Sequence, residues 1–251
     1  MQAILASPGP LLLAAIIAFC LFGVVHALLF KRLVSQHAKR RPGQSPLPAF
    51  VGVVATAWAL SLGFAASDVW TLGARADQAT ANERSAISRL LGSFDASALN
   101  ETGAYNAVID YAKAVEEVEW GTLANRAADP RVDTAIQQIR VAIIRLARQG
   151  IADPIVAKTV QDFDELQDAR NDRLAIGQSA VDETKWYLVL SLTLLTMAAL
   201  AIVHADLPRA GRNALLIYAL TAGVSMWILA INTNPYEGHD YLAVHISAAA
   251  G

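Results

Sequence analysis

Apolar positions along this chain are unevenly spread. They gather in four uninterrupted stretches, residues 11–30, 47–66, 186–205 and 213–236, none of which holds a Lys, Arg, Asp or Glu. Each reaches the roughly 17–25 residues that a helix needs to cross a hydrocarbon core of about 30 Å. Backbone in lipid must satisfy its own hydrogen bonds, so the stretches predict transmembrane helices. Between the two pairs the pattern changes, and apolar residues recur every three or four positions. Val69, Leu72, Ala76, Ala79, Ile87 and Leu90 continue the second span without a proline, which predicts one long helix ending near Leu91–Gly92. A second helix over 98–126 carries the stripe Ala104, Val108, Tyr111, Val115 and Val118. Asp129-Pro130 and Asp153-Pro154 both place a capping side chain before a residue suited to the first helical position. They open helices with stripes from Val132 to Leu146 and from Val156 to Leu174.

The pattern predicts an all-α integral membrane protein, with four transmembrane helices in two pairs flanking an extramembrane helical bundle. Its parts are a first pair over 1–67, the bundle over 68–184, a second pair over 185–236 and a tail over 237–251. Charge sharpens the division. Residues 68–183 hold 12 of the 20 Lys and Arg and 19 of the 22 Asp and Glu. An acidic bundle excludes nucleic acid, which selects a basic face. The single cysteine, Cys20, lies inside the first span, so no disulfide or thiolate cluster forms within the chain. No Lys or Arg precedes Lys31, unlike the basic start of a secretory signal, so the first span is read as a retained helix.

Lys31, Arg32, Lys39, Arg40 and Arg41 fall between spans one and two, and Arg209 and Arg212 between spans three and four. The short terminal segments carry no Lys or Arg. Positive charge stays on the cytoplasmic side, which predicts a multi-pass inner-membrane protein with cytoplasmic basic loops. Both termini and the bundle then lie outside. Trp186, Tyr187 and Tyr236 suit interfacial anchors.

Two groups of residues carry the candidate chemistry. Gly52, Thr56, Gly63 and Ser67 form a small, weakly polar stripe on span two, with Leu60 filling its gap and Phe64 beside it. Such a face suits close helix packing, or a pore lining with Leu60 or Phe64 as a hydrophobic constriction. Glu83 falls in the seam of the first long helix, with Arg170 and Arg173 near the seam of the last. A charge in a seam must be paired, which predicts a network that Glu119 or Asp172 could join. That network reads either as a clamp on helix register or as a charged vestibule. His26 and His204 are the readily ionisable groups within the spans, at their predicted cytoplasmic ends, where a histidine hydrogen-bonded at the interface is the simpler reading. Glu237, His239, Asp240 and His245 in the tail lack the spacing of a metal site. No metal and no cofactor are expected. No GxSxG, Walker lysine loop, HExxH or dinucleotide fingerprint occurs, so no enzyme is expected.

Four ordered motifs carry a family resemblance. They are Ser67-Asp68-Val69-Trp70 followed by Asn82-Glu83-Arg84; Tyr111 followed by Val118-Glu119-Trp120; Arg170-Asn171-Asp172-Arg173-Leu174; and Asn234-Pro235-Tyr236-Glu237-Gly238. With the two-plus-two spans, over about residues 10–245, the chain resembles the bestrophin-like family. Bestrophins proper are pentameric anion channels whose second membrane helix and its extension line the pore. The resemblance implies a homo-oligomeric channel in the lipid bilayer, a pentamer by analogy, passing a small anion along span two. Span two departs in holding one interior phenylalanine, Phe64, in place of a run of them. No acidic cluster resembles a calcium clasp. The alternative is a non-conducting membrane scaffold, sensor or accessory subunit that binds a partner through the bundle. A membrane enzyme would have to draw on Glu83, Glu119, Arg170 and Arg173.

Overall fold

A computed structural model describes residues 8–38, 48–123, 125–178, 183–205, 207–233 and 235–236. Lys39, Arg40 and Arg41, Asn234, and the tail from Glu237, including His239, Asp240 and His245, lie outside the described residues. All regular structure among the described residues is helical. In chain order the elements are α1 (Pro8–Ala38), α2 (Pro48–Phe94), α3 (Thr102–Ala114) with a π-helical turn Val115–Trp120, α4 (Pro130–Arg148), α5 (Asp153–Gln178), α6 (Glu183–Val203) and α7 (Pro208–Ile231). The helix out of span two continues past Gly92 to Phe94. At 47 residues it is about 70 Å long.

The chain divides into two compact units. The first comprises Met1–Trp70 and Ala180–Thr233. In it α1 packs against α6 and α7, and α6 against α7. α2, α6 and α7 are long and apolar enough to cross a membrane, and α1 adds the apolar run Leu13–Leu29. Trp58 on α2 donates its indole N–H to Thr193 Oγ1 on α6 at 2.9 Å and sits edge-on to Tyr218 of α7. A buried donor in an apolar helix must find such a partner. Close approach of α1 and α6 depends on Gly23, where a Cβ would lie 2.6 Å from Met197 Sδ.

The second unit comprises Thr71–Ser179 and Asn234–Gly251. Its core joins Ala86, Ile87, Leu90 and Phe94 of α2 to Val108, Tyr111, Ile139, Ile143, Phe163 and Leu166. The cap expected before α4 is present: Asp129 accepts from the Arg131 N–H at 2.8 Å, with Pro130 at the first helical position. Arg145 and Arg148 occupy the last turn of α4, where cations suit the helix dipole. Gly150, with φ +77°, then turns the chain.

Three expectations are corrected. The second bundle helix does not run over 98–126; it starts at Thr102 and widens into a π-turn at Val115. Span four ends at Ile231 rather than near Tyr236. Tyr236 is no interfacial anchor: it is 5% exposed and lies edge-on to Trp120 in the second unit's core. An aromatic ring gains more from that apolar core than from half-immersion at an interface.

Candidate functional site

The second unit contains a buried network of ions. Glu83, Glu119 and Arg173 are fully buried and Arg170 nearly so. Arg173 on α5 donates from Nε to Glu83 Oε2 at 2.5 Å and from Nη2 to Glu83 Oε1 at 3.0 Å. The same Nη2 reaches Glu119 Oε2 at 2.8 Å, and Nη1 donates to Asn125 Oδ1. Tyr111 donates its hydroxyl to Glu83. Arg170, one turn earlier on α5, donates from Nη2 to Glu119 Oε1 at 2.6 Å and to the half-exposed Asp133 at 2.8 Å. Two carboxylates thus face two guanidiniums at the centre, so the buried charge sums to zero. That balance, with hydrogen bonds on the remaining lone pairs, is the condition under which ions can leave water.

The π-turn is what brings Glu119 inward. Val118, Glu119 and Trp120 are buried in succession, which one face of a regular helix cannot achieve. The wider turn bonds Gly121 N to Glu116 O and Leu123 N to Val118 O, five residues apart. Gly121 is required there, since a Cβ would meet Glu117 O at 2.8 Å. The chain then reverses through Asn125, at φ +58°. Burial disfavours the Glu119 carboxylate, yet the Arg170 hydrogen bond and the Arg173 charge outweigh it and hold its pKa below the ordinary value. Burial also opposes the charge on Arg173, but Glu83 holds its pKa above the ordinary value. Burial and then the Glu83 charge push the Tyr111 hydroxyl well up, so it stays a donor.

Of the five charged residues singled out in the sequence, four meet here. Asp172 does not: it is exposed and lines a separate groove of about 390 Å³ with Arg75, Gln78 and Asn82. One residue from Arg173 on a helix is a rotation of about 100°, which carries Asp172 off the seam. Tyr111 and Asn125 were missed. Tyr111 already lay on an apolar stripe, which signalled core packing rather than a donor; Asn125 lies beyond any helix.

On the membrane half of α2, Gly52, Thr56, Leu60, Gly63, Phe64 and Ser67 are all exposed within the protomer. Leu60 is 57% and Phe64 68% exposed. Helical register places these six roughly opposite Trp58, Ala65 and Val69, the buried face of the same helix. A Cβ at Gly52 or Gly63 would meet nothing within 4 Å, unlike one at Gly23. Close packing inside the chain therefore does not explain these small residues. In the second unit the outward face of α2 carries Thr71, Ala74, Gln78, Ala81, Asn82, Ser85, Ser88 and Gly92, with the charged Arg75, Asp77 and Arg84 exposed beside them. Gln78 donates to Asn82 at 2.7 Å along it. Its inward face holds Ala76, Glu83, Ile87, Leu90 and Phe94.

Both histidines bond within their own helices. His26 Nδ1 lies 2.8 Å from Phe22 O, and His204 Nδ1 lies 3.0 Å from Leu200 O.

The sequence pattern of the Bestrophin-like domain matches residues 17–240. The chain belongs to the bestrophin-like family. It is a membrane protein of all-α fold, and solved structures share that fold. A tryptophan-to-alanine variant of a bacterial bestrophin homologue from Klebsiella pneumoniae superposes with a TM-score of 0.74 at 12% identity, covering 97% of each chain. The same homologue solved by zinc phasing gives 0.70 at 13% identity, over 92% of this chain and 96% of that one. A proline-to-alanine variant of a membrane protein gives 0.72 at 12% identity, over 92% and 97%. No curated protein matches by sequence.

Proposed function

We propose that this bestrophin-like protein is a homo-oligomeric channel for small anions, with the outward face of α2 lining the pathway. The observation that carries the reading is that face itself. On the membrane half its residues carry no charge, Gly52, Thr56, Gly63 and Ser67 among them are small or hydroxylic, and they remain exposed when the rest of the protomer has folded. In lipid alone, bare glycines and threonines gain nothing over leucine. Around a central axis they give width and hydrogen-bonding groups, while Leu60 and Phe64 supply an apolar constriction able to gate by dewetting. The family resemblance adds the oligomer, a pentamer by analogy. The buried ion network serves as a clamp: it joins α2 to α5 and the π-turn through Glu83 and Arg173, so the extended helix cannot slip in register. The Lys and Arg count favours cytoplasmic basic loops and an extracytoplasmic bundle in an inner membrane.

Flux from chloride-loaded liposomes tests this. The expected result is chloride efflux that rises in Leu60→Ala or Phe64→Ala, because the constriction widens. Silence of the parent and of both variants for chloride and bicarbonate would sink the channel reading. Sodium flux without chloride flux would overturn the anion assignment alone.

A second reading has one observation in its favour. Val141 and Ile144 on α4 are 54% and 47% exposed, a pair of bare apolar side chains on its largely polar outer face. It suits a protein partner of a non-conducting scaffold, and co-purification of a fixed partner in place of a homo-oligomer would favour it.

A further inference from the structure

Lys31, near the end of α1, is 8% exposed, yet its ammonium meets no carboxylate among the described residues. Its Nζ lies 2.9 Å from where a Cβ on Gly211 would sit, and His204 Cβ lies 2.8 Å from the same point. The ammonium therefore occupies space left open by a glycine in the first turn of α7. That helix end has no side-chain cap, and it carries the positive end of the helix dipole. Arg209 and Arg212 flank Gly211, and Arg32 follows Lys31; all three arginines are exposed. One acid, Asp206, lies two residues before Pro208 in the sequence, outside the described residues, against these four cations. The backbone carbonyl of His204, just past the end of α6, lies 3.3 Å from the same Gly211 Cβ position, and the cluster of cations beside the positive end of α7 favours an arriving anion.

A second feature shows what kind of anion. An apolar groove of about 350 Å³ runs between α1 and α7, lined by Ile16, Cys20 and Val24 on one side and Leu216, Leu220 and Gly223 on the other. Lys31 lies seven residues beyond Val24, and Arg212 and Arg209 lie four and seven residues before Leu216. These are the helical intervals that keep residues on one stripe. The groove and the cations thus share one face, with the cations about 10 Å further along α1, where its apolar run stops.

We propose that this α1–α7 face binds an anionic phospholipid, with its phosphate at Lys31, Arg209 and Arg212 and an acyl chain in the groove. The groove selects a lipid over free phosphate, and the cations select an anionic headgroup over a zwitterionic one. The site is independent of whether α2 conducts.

The test uses the full chain, stripped of lipid in non-ionic detergent and titrated with phosphatidylglycerol, phosphatidylcholine or inorganic phosphate. Native mass spectrometry reads occupancy, and the melting midpoint reads stabilisation. Phosphatidylglycerol should be retained and raise the midpoint. Arg209→Gln and Arg212→Gln, both at exposed positions, should each weaken it about fivefold, and salt should weaken it further. Gly223→Leu should weaken it by filling the groove with no change of charge. Lys31→Met should weaken it by removing one of the cations that face the phosphate. Equal retention of phosphatidylcholine would overturn the proposal. So would an equal midpoint shift with inorganic phosphate, or unchanged binding in both arginine variants.

Discussion

Replacing Arg173 with methionine removes the centre of the ion network while keeping most of the side-chain volume. Three acceptors, Glu83, Glu119 and Asn125, each lose one donor at once, and both carboxylates are fully buried. Breaking a buried pair by deleting one partner costs about 3–5 kcal/mol, because the remaining charge is stranded. Glu119 keeps Arg170, so the stranded charge is chiefly Glu83, which keeps the Tyr111 hydroxyl. The expected loss is therefore near the lower bound, about 3 kcal/mol, equivalent to more than a hundredfold in an opening equilibrium. Amide hydrogen exchange over the peptides around Tyr111 and Leu166 would register it as exchange at least a hundredfold faster. Arg173→Lys should recover little, since one ammonium cannot match a planar fork shared among three acceptors. Adding Glu83→Met to Arg173→Met should restore part of the loss, giving a coupling of about 1–3 kcal/mol. Exchange accelerated less than tenfold in Arg173→Met, or strict additivity in the double variant, would refute the reading of these ions as a single clamp.

Acid should weaken the same unit in a defined window. The folded Glu119 carboxyl has a pKa below its ordinary value, so its contribution is complete above the unfolded carboxylate range, about pH 5 and higher, and is lost as pH falls through the folded value. Glu119→Gln should flatten that acid limb in a pH series of melting midpoints, and an unchanged limb would count against it. Gly177→Ala tests the packing of α5 on the turn after the π-helix. Its Cβ would collide with the Asn125 carbonyl oxygen, a backbone atom that cannot rotate away. The expected cost is about 1–3 kcal/mol despite the better helix propensity of alanine, read from the urea midpoint of the second unit. A stabilised variant would show that α5 and the turn are free to separate.

Residue order alone determined the membrane helices. The demand on a segment in lipid is local: enough consecutive apolar residues, with the backbone satisfied within the helix. Helical periodicity is equally local, and it puts Glu83 in a buried seam and Arg170 and Arg173 beside one, with Glu119 and Asp172 as equal further candidates. A charge there needs a partner, so a network followed from physics before any partner was known. Which atoms met was a tertiary matter. Glu119 reached Arg170 and Arg173 because a π-turn rotated three consecutive residues inward, an irregularity that no 3.6-residue pattern announces. Tyr236 looked like an interfacial anchor because it follows an apolar span, and only the fold placed it against Trp120. The small face of α2 was visible as a stripe, but close packing and solvent exposure look alike in sequence. Open space beside Gly52 and Gly63 distinguishes them within the chain. Lys31 counted only as one of several cytoplasmic charges until the structure buried it beside Gly211, because burial depends on which helix happens to lie opposite.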